Sequence, residues 1–307
     1  MRVIYIRESE KLSSFWELVL FGIKRFFCLI ERKEVSGKVI YYIPIVGKRN
    51  IFNFKVKRIS SKINKMLDKD ESNIVVLSKY LYGISDLKNY LYSNNVDILS
   101  GRFLFKCLSY KVIEYVFKCW DIDLELGETT ILVNDFTELN KDIIIYIAKR
   151  IKRLNIVTNH IDRFKKIEEY LYNEYGIILN ISNNKRKSLL KSKLILNFDF
   201  PEELVNKYRM YDEAVLVNIC EKINISRKRF NGININSYKI NMPDEYEVPN
   251  FSNELVYESL IYKLNSFKNI NERFLMDKIS IDKFIGNNGF IEEKYLKKSL
   301  NVLTKHM

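Results

Sequence analysis

The stretch that most constrains the fold of this chain is residues 128–240, where short apolar runs alternate with longer amphipathic segments. The runs are rich in Ile, Leu and Val and cover residues 130–135, 154–158, 177–181, 193–198 and 214–219, with a sixth over 230–240. Their length and β-branched content predict strands that are buried on both faces. Such strands form parallel sheets, and right-handed crossovers then favour a doubly wound α/β sheet.

The segments between these runs have the spacing of helices. Residues 138–152 carry an apolar stripe of Ile residues, and most of their basic residues lie off that stripe. Residues 162–175 form a second amphipathic segment, which ends at Gly176, the residue type that most often caps a helix at its C-terminus. Residues 185–192 are long enough for about two helical turns.

Polar residues stand at the carboxyl ends of the predicted strands, and an Asn recurs at each of these ends. In doubly wound sheets ligands bind outside the carboxyl ends of the strands, so Asp135, Asn197 and Asp199 are candidates for a ligand cleft. The two Asp residues are expected across the switch point, where a carboxylate pair can bind a cation or act as acid and base. Helix capping is the competing interpretation of the Asn residues, because Asn is a favoured cap.

Basic residues follow the second and third predicted strands, which should be neighbours in the sheet. The candidates for a phosphate site are Asn159, Arg163, Lys165, Lys185 and Arg186. Guanidinium and ammonium groups gathered at one edge of a sheet would hold a phosphate through charge-assisted hydrogen bonds.

Residues 156–167 resemble the second-strand region of the shikimate dehydrogenase and glutamyl-tRNA reductase group. In that group the strand ends in an Asn-Arg-Thr type turn with a basic residue on the next helix, positions at which Asn159 and Arg163 stand here. Residues 191–197, followed by Pro201, are similar to the later strand of that group that ends in Asn. The resemblance implies a Rossmann-like domain over 128–240 and NADP as the cofactor, with its 2′-phosphate at the turn after the second strand.

The turn after the first strand departs from this pattern. A dinucleotide site needs a glycine-rich turn so that the backbone can approach the pyrophosphate, and residues 134–138 contain no glycine. Asp135 and Glu138 would place negative charge there, and Phe136 would add bulk. The catalytic Lys and Asp pair of the family has no match in the chain. The sequence therefore favours a binding or regulatory protein on a degenerate dehydrogenase-like scaffold, with an NADP-dependent oxidoreductase that has an atypical phosphate loop as the alternative.

Composition sets the class of protein and leaves the partner open. A chain of 307 residues is long enough for two domains, and 51 Lys and Arg against 38 Asp and Glu give a net charge of +13. That charge favours contact with nucleic acid, an anionic membrane face or acidic partners, so a basic nucleic-acid-binding protein is a further alternative. An unknown protein partner or a small phosphorylated ligand is expected otherwise. The 4 Cys have no paired spacing and there are 2 His, which predicts reduced thiols in the cytoplasm and argues against a zinc site.

Three segments are expected from these patterns: an α/β domain over 1–127, the Rossmann-like domain over 128–240 and a helical C-terminal segment over 241–307. In the first, strands over 38–46 and 51–59 with a turn at 47–50 predict a hairpin, and Gly101 and Arg102 begin a long helix to Trp120. In the last, helices are predicted over 254–267, 274–284 and 291–303, with a turn at 286–289.

An aromatic, apolar segment over residues 15–30 is interrupted by Glu17, Lys24 and Arg25, which fall near one helical face. It is short for a membrane span, which needs about 20 apolar residues, and it lacks the order of a signal peptide. The segment is predicted to be a mostly buried helix without a transmembrane role. An interfacial helix at a membrane surface is the alternative, because the segment is both basic and aromatic.

Overall fold

A computed structural model describes residues 2–9, 15–35, 37–45, 53–67, 73–226, 228, 230–262, 264, 266–272 and 275–301. The chain divides into two compact units, of which the first comprises Met1–Gly101 and Pro243–Lys263 and the second Arg102–Met242 and Leu264–Met307. Residues 243–263 are thus grouped with the first unit and residues 264–307 with the second. Among the described residues, no helix has both the length and the apolar character that crossing a membrane requires.

The strands and helices of the described residues are as follows. The strands are β1 Arg2–Glu8, β2 Glu31–Val35, β3 Lys38–Ile43, β4 Asn73–Leu77, β5 Asp97–Ile98, β6 Glu128–Leu132, β7 Arg153–Val157, β8 Asn180–Ser182, β9 Leu194–Asn197, β10 Val215–Asn218, β11 Ile233–Ile235, β12 Ser237–Asn241, β13 Ser280–Gly286 and β14 Gly289–Ile291. The helices are α1 Phe15–Phe27, α2 Asn53–Met66, α3 Lys79–Tyr82, α4 Ser85–Tyr92, α5 Arg102–Cys107, α6 Ser109–Trp120, α7 Glu138–Ala148, α8 Ile161–Tyr175, α9 Lys185–Leu189, α10 Glu202–Val205, α11 Asn253–Tyr262, α12 Phe267–Glu272 and α13 Glu293–Asn301.

The first unit is built on a five-stranded sheet with the order β2-β3-β1-β4-β5, in which only β2 runs antiparallel to its neighbour. Helices α2 and α4 cover one face, where their apolar residues join a core with Ile4 and Ile6 of β1. Tyr5 points to the opposite face because successive side chains of a strand alternate. There its hydroxyl is 2.8 Å from Ser259 Oγ of α11, and its ring packs edge-on against Phe251 at 5.4 Å.

The strand predicted over 51–59 is wrong, because the described part of that stretch belongs to helix α2. Val56, Ile59 and Ile63 are buried at helical spacing and face the sheet, and this periodicity outweighs the short alternation that suggested a strand. Strand β3 pairs instead with β2, which precedes it in the chain. The turn predicted at 47–50 lies outside the described residues.

Helix α1 forms where the sequence predicts a helix, but the prediction that it is mostly buried is wrong. Trp16 and Phe26 are each 72% exposed, and most other apolar side chains of the helix are exposed as well. The two faces of the neighbouring sheet are already covered by α2 and α4 on one side and by residues 251–259 on the other. In the described part of the first unit, both faces of the sheet around β1 are therefore covered without α1.

The second unit contains a six-stranded sheet with the order β11-β10-β9-β6-β7-β8, and all its strands run parallel. The chain starts in the middle at β6, moves outward through β7 to β8, returns to β9 on the other side and continues to β11. This is the strand order of the doubly wound Rossmann fold, so the predicted fold class is confirmed. Gly176 caps α8 with a left-handed φ of 66°, as predicted.

The apolar core of this unit reflects the runs that predicted the strands. Four neighbouring strands each contribute a fully buried side chain to this core, and these side chains pack together beneath the helices. They are Leu132, Val157, Ile195 and Leu216. The predicted sixth strand is divided: β11 extends the parallel sheet, and β12 leaves it to pair with β13 in a separate three-stranded antiparallel sheet.

The helix predicted over 274–284 is wrong, because residues 280–286 form strand β13. Pairing with β12 and β14 on its two sides satisfies its backbone and overrides local preference. The turn at 286–289 is confirmed as the link between β13 and β14. The long helix predicted from Arg102 to Trp120 is present as two helices, α5 and α6, and α13 confirms the last predicted helix.

Candidate functional site

The switch point of the parallel sheet lies between β6 and β9, because the chain leaves β6 toward one side of the sheet and returns on the other side at β9. The loops that follow these two strands, residues 133–137 and 198–201, face each other at the carboxyl edge. Ligands of doubly wound sheets bind in the crevice outside this edge, so the two loops define the first place to search for a site.

A carboxylate of the chain itself joins these two loops. One oxygen of Asp199 accepts a hydrogen bond from the backbone N–H of Asn134 at 2.7 Å, and the other accepts from the N–H of Asp135 at 2.8 Å. Burial raises the pKa of the Asp199 carboxyl, and the two backbone hydrogen bonds oppose that rise. The predicted cleft residues Asp135 and Asp199 are therefore brought together. The contact joins the backbone N–H of Asp135 to the carboxylate of Asp199.

The first turn of α7 is also engaged by side chains of the chain. Thr137 caps the helix, and its hydroxyl accepts from the N–H of Asn140 at 3.2 Å. The buried side chain of Asn140 donates to the carbonyl of Asp135 at 2.7 Å and accepts from Lys106 Nζ at 3.0 Å. A pyrophosphate normally receives hydrogen bonds at this turn, whereas here it would meet the carboxylates of Asp135 and Asp199. The residues present do not fit that group.

The loop after β7 is tied to the same turn. Asn134 Oδ1 accepts a hydrogen bond of 2.8 Å from the backbone N–H of Asn159, so the Asn134 side chain spans the gap between the loops that follow β6 and β7. Asn159 itself is exposed at the edge of the sheet, as the sequence prediction requires. The backbone N–H of Asn159 is used by the hydrogen bond to Asn134 within the protein.

The predicted phosphate-binding cations take separate positions. Arg163 and Lys165 are exposed on α8, and Lys165 pairs with Asp162 at 3.4 Å. Lys185 is 8% exposed and its ammonium donates to the carbonyl of Asn183 at 3.3 Å within its own turn, while burial lowers the pKa of Lys185. Arg186 lines a cavity of about 790 Å³ with residues 207–213, which precede β10. The hydrogen bonds and ion pairs just described direct none of these cations to the switch point.

The Asn residues at the strand ends form a buried amide network that sequence reasoning missed. Asn197 and Asn218, on neighbouring strands, are 3% and 0% exposed. Asn197 Nδ2 donates to Asn218 Oδ1 at 3.3 Å, and Asn218 Nδ2 donates to Asn234 Oδ1 at 2.7 Å and to Asn236 Oδ1 at 2.9 Å. Burial of an amide without partners costs free energy, so this network holds the loops of the edge in one arrangement. Asn197, predicted as a cleft residue, belongs to it.

A basic and aromatic groove lies away from the switch point, between α7, α8 and α12, with a volume of about 760 Å³. Its cations and aromatic rings are Lys141, Lys149, Arg150, Lys166 and Lys268, and Phe136, Tyr146, Tyr170 and Phe267. The guanidinium of Arg150 lies 3.6 Å from the ring centre of Tyr146, and Lys149 Nζ lies 3.7 Å from that of Tyr175. Such a surface can hold an anionic group and stack a planar ring.

One carboxylate, Asp142, also lines the groove. Burial raises the pKa of its carboxyl, and the neighbouring cations Lys141 and Lys268 oppose that rise. The sequence carries a signal for this groove, because the basic residues of 138–152 lie off the apolar stripe. What it lacks is the position of α12, whose Phe267 packs edge-on against Tyr146 at 5.3 Å and forms one wall.

The solved structures that this chain is similar to include three dehydrogenase or synthase enzymes. They are L-tryptophan dehydrogenase from Nostoc punctiforme (8% identity over 99% of this chain and 81% of that one, TM-score 0.35), dipicolinate synthase A chain from Bacillus subtilis (7%, 89% and 97%, TM-score 0.38) and an L-alanine dehydrogenase (12%, 79% and 78%, TM-score 0.33). No protein-family model matches the sequence, and none of the curated proteins matches it. The predicted Rossmann-like resemblance is confirmed at the level of the fold, which rests on the strand order.

Proposed function

We propose that this chain is a binding or regulatory protein on a Rossmann scaffold that does not take a dinucleotide at the usual place. The observation that supports the proposal is the position of Asp199, whose carboxylate accepts from two consecutive backbone N–H groups of the turn after β6. In dinucleotide-binding members of the fold, this turn and the helix after it donate hydrogen bonds to the pyrophosphate. Here an acidic side chain supplies the acceptor.

A diphosphate could enter only if Asp199 left the turn. The two anions would otherwise lie within a few ångströms of each other, and like charges at such a separation repel strongly in a partly buried site. Asp135 adds a second negative charge beside the same turn, and Lys106, a cation that lowers the pKa of Asp199, already donates to Asn140. The alternative of an NADP-dependent oxidoreductase with an atypical phosphate loop requires that this arrangement open.

The test is a titration of the purified full chain with NADPH and NADH, followed by calorimetry and by thermal unfolding. We expect no binding to the wild-type protein at nucleotide concentrations up to about 1 mM; a ligand present at a hundred times its dissociation constant would add about 2.7 kcal/mol of stability. Saturable binding of NADPH to the wild-type protein would overturn the proposal and support the oxidoreductase. Binding that is gained only in Asp199→Gly would identify the carboxylate as the blocking group.

We also propose that the groove between α7, α8 and α12 is the place where a small anionic ligand binds. Lys149, at the C-terminal end of α7, and Lys166, on α8, supply positive charge, and the rings of Tyr146 and Phe267 supply flat apolar surface. A phosphorylated ligand with a planar ring suits both features. The net charge of the whole chain would add a non-specific attraction for any polyanion, including nucleic acid, so the experiment must separate the two effects.

The probes for this groove are ATP, AMP and inorganic pyrophosphate, measured by thermal unfolding. The groove pair is the double variant Lys149→Ala, Lys166→Ala. The control pair is the double variant Lys191→Ala, Lys193→Ala, which removes the same charge from two exposed residues outside the groove. The groove pair should abolish stabilisation by the nucleotides while the control pair retains it. Equal loss in both pairs, or no stabilisation of the wild-type protein by any probe, would contradict the groove as a site.

A further inference from the structure

Helix α1 presents an apolar surface to the outside of the first unit. The exposed side chains, with their exposed fractions, are Trp16 72%, Leu18 57%, Val19 41%, Leu20 53%, Ile23 47%, Phe26 72% and Phe27 50%. Soluble surfaces rarely carry so many large apolar side chains side by side, and contiguous patches of this kind mark interaction sites. The surface does not belong to the groove or to the switch point, since both of these lie in the second unit.

The arrangement around the helix axis is one-sided. At 3.6 residues per turn, the exposed apolar side chains span an arc of roughly 200°, and Glu17, Lys24 and Arg25 lie in the remainder. Lys24 forms an ion pair with Glu31, the first residue of β2, and both Lys24 and Phe21 are half-buried. This side of the helix therefore lies toward the protein, and the apolar arc is turned outward.

The width and length of the arc indicate the kind of surface it meets. A helix that packs against other protein elements uses an apolar stripe of about 100° or somewhat more, whereas an interfacial helix buries a broad apolar face in a bilayer. The helix has 13 residues and is about 20 Å long, while a span requires about 20 residues. The arc includes Trp16, Phe26 and Phe27, and Trp and Phe are side chains that favour the boundary between headgroups and acyl chains.

Positive charge borders the C-terminal end of the arc. Lys62 of α2 donates to the carbonyl of Phe27 at 2.6 Å and to that of Cys28 at 3.0 Å. Arg58 and Lys65 are exposed and lie one turn before and about one turn after Lys62 on the same face of α2. This basic face therefore adjoins the last turn of α1, where Arg25 is also exposed, and it complements the headgroups of anionic lipids.

We propose that α1 lies in the surface of an anionic lipid bilayer and docks the first unit there, with the apolar arc among the upper acyl chains and the basic face of α2 on the headgroups. A second copy of the chain is the less suitable occupant, because each copy carries a net charge of +13 and self-association would bring equal charges together. This proposal goes beyond the binding role of the second unit and stands whether or not that role is correct.

The experiment uses the full chain with vesicles of phosphatidylcholine alone and with vesicles that contain about one third phosphatidylglycerol, separated by flotation. The wild-type protein should float with the anionic vesicles and bind them at least about tenfold more tightly than the neutral ones, with weaker binding at high salt. Trp16 reports the depth of insertion, because the other Trp, Trp120, is 5% exposed and its indole N–H donates to Leu296. A blue shift of emission on binding should be present in the wild-type protein and absent in Trp16→Phe.

Matched variants distinguish vesicle binding through α1 from non-specific binding through other exposed apolar residues. Phe26→Asp introduces a carboxylate at a 72% exposed position of the arc, and the control Ile178→Asp does the same at a 75% exposed position of the second unit. Phe26→Asp should weaken vesicle binding by about tenfold or more, and Ile178→Asp should leave it within about twofold. Arg58→Ala with Lys65→Ala should remove the preference for anionic vesicles.

Three results would overturn the proposal. In the first, the wild-type protein stays in the bottom fraction with both kinds of vesicle. In the second, Phe26→Asp and Ile178→Asp bind the vesicles equally well. In the third, sedimentation shows a wild-type oligomer that Phe26→Asp converts to a monomer. The last result would identify the arc as an interface between copies of the chain. Because both substituted positions are exposed, far-ultraviolet circular dichroism should show unchanged folding of all the variants.

Discussion

The side-chain amide of Asn218 donates a hydrogen bond of 2.9 Å to the side-chain oxygen of Asn236, and both residues are buried at the carboxyl edge of the parallel sheet. The same Asn236 oxygen accepts from the backbone N–H of Ile223 at 2.9 Å. Asn236 Nδ2 in turn donates to Asn287 Oδ1 at 2.5 Å in the turn between β13 and β14. One amide pair thus connects the end of β10 to the antiparallel sheet of the same unit.

Replacement of Asn218 by alanine should lower the free energy of unfolding by about 1–3 kcal/mol, because it leaves the buried amides of Asn197 and Asn236 and the half-buried amide of Asn234 short of a partner. Urea unfolding followed by circular dichroism measures the change. The control is Asn183→Ala, an exposed Asn in the loop after β8, which should shift the free energy by less than about 0.5 kcal/mol. Equal effects would mean that the network contributes no more than a surface amide.

The pH dependence of stability should carry the signature of Asp199. Its folded-state pKa is raised above the ordinary 3.8, mainly by burial, so the folded protein holds the proton to a higher pH than the unfolded chain does. The contribution of this group to the free energy of unfolding is therefore present below about pH 3.8 and is lost as the pH rises through the folded-state pKa. Relative to Asp199→Asn, the free energy of unfolding of the wild-type protein should fall over that pH window. At higher pH the free energies of the two proteins should change with pH in the same way. Chemical unfolding of both proteins from pH 4 to pH 7 checks this, and a relative gain of stability with pH would contradict it.

Lys185 should contribute little to stability. Its ammonium is buried and makes one hydrogen bond of 3.3 Å to Asn183, and burial lowers its pKa below 10.5. Below the folded-state pKa the burial cost is fully present, so Lys185→Met should leave the free energy of unfolding at pH 7 unchanged or raise it by about 1 kcal/mol. As the pH rises from the folded-state pKa toward 10.5, the wild-type protein should recover relative to the variant. Denaturation at pH 7 and pH 10 tests the sign, and a large loss of stability in the variant would show that the ammonium has a favourable role.

Two glycines should respond oppositely to the same substitution. Gly176 ends α8 with φ at 66°, a conformation that costs an L side chain about 1 kcal/mol, although no atom lies within 4 Å of the position its Cβ would take. Gly22 lies within α1 with equally open space around it, where alanine is the better helix former by about 1 kcal/mol. Thermal unfolding should show a lower melting temperature for Gly176→Ala, and no decrease for Gly22→Ala.

The parallel sheet was predictable because its information is local. Residues such as Ile195 and Leu216 sit in short apolar runs whose length and branching favour strands, and burial on both faces follows from the continuity of the run. The C-terminal cap at Gly176 is equally local. In the first unit the local signal was weaker, since residues 51–59 contain both an alternating and a helical pattern, and only the packing of Val56 and Ile59 against the sheet decides between them.

The candidate site was only partly predictable because its key contacts join distant parts of the chain. Asp199 and Asn134 are separated by 65 residues, and nothing in either loop alone indicates that the carboxylate reaches the backbone of the other. The sequence did predict that Asp135 and Asp199 would share the switch point, from the rule that parallel strands bring their carboxyl ends together. The predicted gathering of Asn159, Arg163, Lys165, Lys185 and Arg186 around a phosphate remains a prediction, because side-chain directions cannot be read from strand order.

The contact between Tyr5 and Ser259 has a consequence for synthesis, because 254 residues separate the two partners. A ribosome adds roughly 5–20 residues per second, so the first strand waits on the order of 10 to 50 seconds for the helix that covers it. During that interval one face of the first sheet has no cover, while the whole parallel sheet of the second unit is translated. Strand β1 is therefore synthesised long before the helix that covers one of its faces, and Tyr5 has neither Ser259 nor Phe251 as a partner during that interval.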